Sequence, residues 1–112
     1  MIVVHSIPGS PFGRAALIGC IEKQASYRLA PLKPGENVGP EHRTRHPLGR
    51  VPAIEDDGFV VYETQAILRY HDAIGRGPAL TPAGPKAAAR MNQVIGAIAG
   101  YFFTRSGVMA RV

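Results

Sequence analysis

A hairpin followed directly by a helix, between residues 46 and 70, constrains the fold more than any other part of the sequence. Two short β-prone segments, Val51–Ile54 and Phe59–Val61, flank the turn Glu55–Gly58, which ends in Asp-Gly. Asp-Gly in such a position is a strong hairpin signal. A helical pattern follows, and we expect Thr64 to cap it. The apolar stripe of this predicted helix consists of Ala66, Ile67, Tyr70 and Ile74.

The junction of this hairpin and helix predicts a ligand site. The first turn of a helix offers unpaired N–H groups and a favourable dipole to a small carboxylate. Pro52 adds a second signal, because proline is confined to the first residue of a strand or to an edge. If the Val51–Pro52 bond is cis, the backbone of Val51 turns away from the sheet and is able to pair with an extended peptide. Each residue has a simpler explanation, in which Pro52 is trans and Thr64 only caps the helix. For either residue alone this explanation is preferred; it is weaker when both residues occur in one hairpin and helix.

Length and composition exclude several classes of protein. The 112 residues, 46% of them apolar, suffice for one domain of common size and not for two. The formal charge of +5 is scattered along the chain, which argues against a nucleic-acid-binding arm. Cys20 is the only cysteine, so we expect no disulfide framework. We therefore expect the protein to occupy a reducing compartment. Apolar runs are too short for a signal peptide or a membrane span, so we expect a cytoplasmic protein with no membrane partner.

The N-terminal third predicts a βαβ unit. Ile2–Val4 is a continuous apolar run, typical of a central strand buried on both faces. A turn-rich loop follows, in which Ser10 is the expected cap of a helix with Pro11 in its first turn. The alternating residues 26–30 predict a second strand, parallel to the first. The apolar stripe of the intervening helix is predicted to be Ala15, Leu17, Ile18 and Ile21.

The remaining elements complete an α/β domain. Residues 31–40 are irregular, and residues 41–46 form one or two helical turns before the hairpin. The resulting order, β-α-β-α-β-β-α, predicts a thioredoxin-like domain with a four-stranded mixed sheet and helices on both faces.

The C-terminal part predicts a domain boundary. We assign residues 1–77 to the thioredoxin-like domain, 78–85 to a Gly/Pro-rich linker and 86–112 to the start of an all-helical domain. The helical pattern over 86–103 is apolar on more than one face, which is typical of a buried helix. Either a partner chain covers it or the chain is the first part of a longer protein, and we favour the second.

Ser10 suggests a chemical role. A hydroxyl at the N-terminus of a helix stabilises a ligand thiolate over the thiol and lowers the thiol pKa from its free value of about 8.5. The thiolate is the nucleophilic form. The pattern alone favours the simpler interpretation, in which Ser10 only caps the helix.

Three motifs carry a resemblance to a known family. They are I-P-G-S-P-F-G-R-A-A-L at 7–17, H-P-L-G-R-V-P-A-I at 46–54 and D-G-F-V-V-Y-E-T-Q-A-I-L-R-Y at 57–70. Together they resemble the N-terminal domain of cytosolic glutathione S-transferases, nearest to the serine-type classes (delta, theta and phi-like) and their bacterial relatives. The resemblance covers residues 1–80, and residues 86–112 look like the opening helix of the family's all-helical second domain.

The resemblance implies a set of site residues. Ser10 would activate the glutathione thiol, and Val51 would pair its backbone with the cysteinyl part ahead of a cis Pro52. Glu63 with Thr64 would hold the γ-glutamyl end; the family usually has serine at the second position, and Thr64 keeps the hydroxyl.

The contact to the glycyl carboxylate departs from the family pattern. Relatives often place a His or Lys where this chain has Asn37 and Val38. Arg50 is the cation that we assign to this carboxylate, and His42 and Arg43 are alternatives.

The implied function is glutathione transfer to a small electrophile, with glutathione as co-substrate, no metal, and a homodimer as the assembly. The rival is a non-catalytic interaction or dimerisation domain of the same fold. A thiol–disulfide oxidoreductase ranks third, because Ser10 stands where a redox cysteine is required. Three other features are read as structural: Cys20 as a core side chain, the four histidines as lacking metal-site spacing, and Glu55–Asp57 as a solvated turn.

Overall fold

The computed structural model describes residues 1–102. Two compact units make up the chain, Met1–Pro78 and a second that begins at Ala79. In chain order the elements are β1 (Ile2–Ser6), α1 (Pro11–Glu22), β2 (Tyr27–Pro31), a 3-10 turn (Glu36–Val38), α2 (Pro40–Arg43), β3 (Ala53–Asp56), β4 (Phe59–Tyr62), α3 (Thr64–Ile74), α4 (Pro85–Ala97) and a π-helical turn (Ile98–Phe102). The predicted helix 86–103 thus begins at Pro85, and residues 103–112 of the predicted second domain lie outside the described residues.

The sheet confirms the predicted α/β fold. Its strand order is β2-β1-β3-β4, with β1 parallel to β2 and antiparallel to β3, and β3 antiparallel to β4. The first strand is therefore interior, as the apolar run at Ile2–Val4 predicted. β2 begins at Tyr27, one residue later than predicted, because its pairing with β1 runs from Ile2 opposite Tyr27 to Ser6 opposite Pro31.

The buried face of α1 differs from the prediction. Ile18 and Ile21 are 56% and 58% exposed. The buried residues of this helix are Gly13, Ala16, Gly19 and Cys20. A Cβ atom on Gly19 would lie 2.7 Å from Leu68 Cδ2 of α3, so this face must be small for the two helices to approach. The prediction is wrong for Ile18 and Ile21, because small size selects the closely packed face of α1. It is partly correct for Leu17, which is half-buried and packs against the core.

The core of the first unit lies between the sheet and the two helices α1 and α3. Its buried apolar residues are Ile2, Val4, Ala16, Cys20, Ile54 and Ile67. On α3 the predicted stripe is only partly correct, since Ile67 is buried whereas Ala66 and Ile74 are exposed. His71 takes the second buried place on that face, one turn after Ile67.

The hairpin has a shorter turn than predicted. Asp57 and Gly58 alone form it, both with positive φ (48° and 86°), which is the type I′ geometry of two-residue hairpins. Glu55 and Asp56 therefore belong to β3 and are not a solvated turn. The Glu55 carboxylate lies 2.9 Å from His5 Nε2, and the Tyr70 hydroxyl donates a hydrogen bond to Asp56.

Residues 1–102 contain neither a membrane-spanning helix nor a metal-binding cluster. No helix within residues 1–102 combines the length and the apolar character that crossing a bilayer requires. Over the same residues, no group of three or more His, Cys, Asp and Glu side chains is arranged to hold a metal ion.

Candidate functional site

The register of the sheet brings three distant segments to one end of it. His5 in β1 lies opposite Ala53 in β3, and Ala53 lies opposite Tyr62 in β4. The loop that follows β1 leads to Ser10, Val51–Pro52 immediately precedes β3, and Glu63 immediately follows β4. All three segments therefore leave the sheet at the same end, which makes this end the candidate site.

Ser10 forms the N-terminus of α1. It is the N-cap residue, it is almost fully buried, and its Oγ accepts a hydrogen bond of 3.3 Å from the Gly13 N–H. The Ser10 N–H donates to the Ile7 carbonyl, which closes the loop after β1. Capping uses an acceptor position of the hydroxyl, so its hydrogen remains able to donate. The predicted cap is confirmed, and the Ser10 hydroxyl is still able to donate a hydrogen bond to a ligand.

Val51 and Pro52 are buried immediately before β3, and the peptide bond between them is cis. The strand pairs only from Ala53 onward, and not from Val51 as the sequence predicted. Proline lacks an N–H for the ladder, so the ladder starts after it. The backbone of Val51 lies outside the pairing of β3 with its neighbours.

His42 holds the segment that leads into Val51. Its ring is buried, Nε2 lies 2.7 Å from the Arg50 carbonyl oxygen, and Nδ1 accepts a hydrogen bond from Arg45 Nε. This pattern requires the neutral ring with its proton on Nε2. Burial is the main cause that lowers the pKa of His42, and the nearby Arg45 charge lowers it further. Both ring nitrogens of His42, an alternative candidate for the ligand carboxylate, thus have protein partners.

The other candidates for the carboxylate contact are arranged differently. Asn37 is buried and donates a hydrogen bond of 2.7 Å to the Gly49 carbonyl. Arg43 donates from Nε to the Val38 carbonyl and from Nη1 to the Pro47 carbonyl. Both side chains thus brace the loop before β3. The Arg50 side chain is exposed, next to Val51.

Glu63 joins β4 to α3 with an unusual backbone. It is the N-cap residue, with φ 79° and ψ 120°, a conformation that residues other than glycine rarely adopt and that costs about 1–3 kcal/mol. Thr64 is the first residue of α3 and not its cap, which corrects the prediction. In the described part of the chain, the Glu63 side chain makes no capping hydrogen bond to α3. The first turn of α3 therefore keeps its dipole and N–H groups directed at this end of the sheet.

His46 connects the loop before β3 to this junction, a position that no sequence pattern predicted. Its ring is 2% exposed, packs on Tyr62 with centroids 4.6 Å apart, and has Nε2 3.8 Å from Glu63 Oε1. Burial is the main cause that lowers the pKa of His46, and the nearby His42 ring and Arg50 guanidinium lower it further. The only sequence signal was its position at the head of the H-P-L-G-R-V-P motif.

Comparison with known proteins identifies the family. The sequence profile described as "Glutathione S-transferase, N-terminal domain" matches residues 4–79. The chain belongs to the glutathione S-transferase family. The match covers almost the whole of the first unit, including the three segments that meet at the end of the sheet.

Curated members of the glutathione S-transferase family share parts of this sequence. Glutathione S-transferase 4 of Zea mays is 38% identical over 63 residues, which are 54% of this chain and 28% of the maize protein. Glutathione S-transferase F6 of Arabidopsis thaliana is 34% identical over 87 residues, 74% of this chain and 42% of that protein. The chain thus spans less than half the length of these two relatives.

Solved glutathione transferases share the fold. A glutathione transferase homolog from Sulfitobacter, solved with bound glutathione, superposes with a TM-score of 0.87 and 28% identity, over 96% of this chain and 52% of that one. A theta class enzyme from Xanthomonas axonopodis pv. citri, also with glutathione bound, gives a TM-score of 0.79 and 28% identity, over 90% of this chain and 49% of the other. The chain spans about half of each.

Proposed function

We propose that this chain binds glutathione at the end of the sheet where Ser10, Val51 and Glu63 converge, and that it activates the glutathione thiol for attack on a small electrophile. The observation that carries the proposal is the register that aligns His5, Ala53 and Tyr62 across β1, β3 and β4. It supports one extended site, with a helix N-terminus at Ser10 and another at Thr64.

Ser10 is the residue that we assign to the sulfur. Its Oγ accepts from the Gly13 N–H, so the hydroxyl hydrogen is available to a ligand thiolate. The N-terminal field of α1 favours negative charge at the same position. Both effects stabilise thiolate over thiol, which lowers the thiol pKa and raises the fraction of the nucleophile. The thiol proton passes to solvent, and the sulfur forms a bond to the electrophilic carbon. In a substitution the bond from that carbon to a leaving group breaks and the leaving group takes its electron pair; in an addition the π-electron pair moves to the neighbouring atom, which then takes a proton from solvent.

The remaining contacts follow the length of the tripeptide. The Val51 backbone, outside the pairing of β3, serves the cysteinyl part in the manner of an added strand. Glu63 and Thr64 serve the γ-glutamyl end: the carboxylate attracts its ammonium, and the first turn of α3 attracts its carboxylate. Arg50 is the cation for the glycyl carboxylate, and His42 steadies its backbone by contacting the Arg50 carbonyl.

The proposal includes a homodimer and a cytoplasmic location. Phe59, Val60 and Tyr62 expose apolar surface along the edge strand β4, which supports association between chains. Cys20 is the only cysteine in the 112 residues, which suits a reducing compartment. Light scattering of the purified chain tests the first part, and a tagged chain in fractionated cells tests the second.

Calorimetry with glutathione tests binding, and ultraviolet absorbance of the bound thiolate tests activation. We expect Ser10→Ala to bind glutathione with a raised thiol pKa, and Ser10→Thr, which keeps a hydroxyl, to retain most of the shift. An unchanged thiol pKa in Ser10→Ala would remove Ser10 from the mechanism. Conjugation of a generic aromatic electrophile is then compared between the same variants.

The rival function is a non-catalytic interaction domain of the same fold. It is favoured by the apolar surface that Phe59, Val60 and Tyr62 expose along the edge strand β4. This rival predicts no binding of glutathione, whereas the leading proposal predicts binding that weakens in Thr64→Val. The calorimetry therefore separates the two.

A further inference from the structure

One histidine that the proposed mechanism does not use lies against a residue that it does use. His46 is buried under the junction of β4 and α3, and its ring packs on Tyr62, the residue before Glu63. Its Nδ1 accepts a hydrogen bond of 3.3 Å from the Leu48 N–H. Its Nε2 lies 3.8 Å from Glu63 Oε1. The ring thus contacts both the loop before β3 and the carboxylate at the start of α3.

The hydrogen bond from Leu48 sets the tautomer of His46. Because the Leu48 N–H donates to Nδ1, the neutral ring carries its proton on Nε2, the atom that faces Glu63. At 3.8 Å the contact is longer than a hydrogen bond, so it acts as an electrostatic preference. Glu63 is 61% exposed, and an exposed glutamate otherwise samples many rotamers. The partial positive charge on the Nε2–H of His46 favours the Glu63 rotamers that keep Oε1 near the site.

We infer that His46 is a positioning residue for Glu63, and that protonation of His46 weakens the hold of Glu63 on the ammonium group of a bound peptide. The inference rests on the proposed glutathione site, in which Glu63 receives the γ-glutamyl ammonium. Neutral His46 orients the carboxylate. Protonated His46 is a second cation beside it and competes with the ligand.

The charges around His46 set the direction of the pH effect. It is faced by His42 from α2, by Arg50 from the segment before β3, by Glu63 at the start of α3 and by the Tyr62 ring of β4. Burial, then His42 and Arg50, lowers its pKa from the ordinary 6.5. His46 is therefore neutral at neutral pH and becomes charged only in acid. Affinity for glutathione should fall as the pH drops through the range in which His46 gains its proton.

Two substitutions distinguish the roles of the two ring nitrogens of His46. In His46→Asn the side-chain oxygen takes the place of Nδ1 and still accepts from the Leu48 N–H, but nothing faces Glu63. In His46→Gln the amide reaches the place of Nε2 and presents an N–H to Glu63 without a titrating group. Thermal unfolding of both variants shows whether the fold is kept.

Calorimetry with glutathione on the 112-residue chain, at about pH 7.5 and about pH 5.5, tests the inference over the range in which histidine titrates. We expect wild type to lose affinity in acid, by at most about fivefold, which is the ratio for one full unit-charge interaction near 4 Å in water, about 1 kcal/mol. His46→Asn should bind more weakly than wild type at the higher pH. His46→Gln should recover that affinity, and both variants should lose the acid dependence.

The outcomes distinguish this inference from the proposed function. If wild type binds glutathione and both variants keep the wild-type affinity and acid dependence, the role of His46 is refuted while the glutathione site stands. If wild type does not bind at either pH, both proposals fall. If His46→Gln lowers the melting temperature, His46→Asn decides alone, through its affinity at the higher pH and its acid dependence.

Discussion

The Lys23 ammonium lies 3.0 Å from the Asp72 carboxylate, and Lys23 is only 3% exposed. Lys23 ends α1 and Asp72 lies in the last turns of α3, so the ion pair joins the two helices. The same ammonium donates to the Pro78 carbonyl at 3.1 Å and to the Gly77 carbonyl at 3.4 Å. One buried cation thus holds together α1, α3 and the segment that ends the first unit.

Removal of the Asp72 charge should destabilise the first unit. Asp72→Asn leaves the buried Lys23 charge without its anion, and loss of one partner of a buried pair costs about 3 kcal/mol or more. Urea unfolding measures the change. Glu41→Gln is the matched control, because the Glu41 side chain is 88% exposed and its contact with Arg45 is long, at 3.9 Å, so that it contributes about 0.5 kcal/mol or less. Equal effects of the two substitutions would show that Lys23 finds other partners.

The small face of α1 should not tolerate a methyl group at Gly19. A Cβ there would lie 2.7 Å from Leu68 Cδ2 and 3.0 Å from His71 Cδ2. We expect Gly19→Ala to lower the free energy of unfolding by about 1–3 kcal/mol through overpacking, despite the better helix propensity of alanine.

Gly96 provides the control for this substitution. No described atom lies within 4 Å of a Cβ built on Gly96 in α4. Gly96→Ala should therefore leave stability unchanged or raise it by about 1 kcal/mol at most. If denaturant unfolding shows Gly19→Ala to be as stable as Gly96→Ala, α1 and α3 are less tightly packed than the structure shows.

Cys20 should be unreactive in the folded protein. It is buried in the core with Sγ 3.4 Å from His71 Nε2, and burial raises its pKa to about 11. The thiolate fraction at neutral pH is therefore negligible. We expect labelling by a thiol reagent to be much slower than for free glutathione, and to become complete in denaturant. Rapid labelling of the native chain would mean that the core opens readily.

Stability should fall in mild acid because the histidines are buried in their neutral form. Burial is the leading cause that lowers the pKa of His5, His42, His46 and His71. The unfolded chain, with histidine pKa values near 6.5, binds more protons than the folded chain below that pH. The free energy of unfolding thus has its full value above about pH 6.5 and declines as the pH falls towards the lowered pKa values of the folded-state histidines.

Urea unfolding at several pH values measures this decline. Each histidine contributes at most about 1.4 kcal/mol per pH unit to the change in the free energy of unfolding. His42→Gln, which removes one titrating group, should show a shallower dependence than wild type. A flat profile for wild type between about pH 7.5 and about pH 5.5 would contradict the buried neutral rings.

Local sequence signals were sufficient to predict the order of the elements. Alternation and apolar runs located the strands, Asp57-Gly58 located the hairpin, and Ser10 before Pro11 located the start of α1. These signals depend on backbone preferences that neighbouring residues impose on each other. They also placed the segments that carry the candidate site, because a βαβ unit and a hairpin leave few ways to order a four-stranded sheet.

The tertiary structure decided which faces are buried and which polar groups meet. The packed face of α1 is the one with small residues, because α3 lies too close to Gly19 for a larger residue there. A hydropathy pattern contains no information about how closely two helices approach. His46 and Glu63 are 17 positions apart in the chain and meet because β3 begins and β4 ends at the same end of the sheet. Contacts of this kind depend on the positions of whole elements, and for that reason no local pattern predicted them.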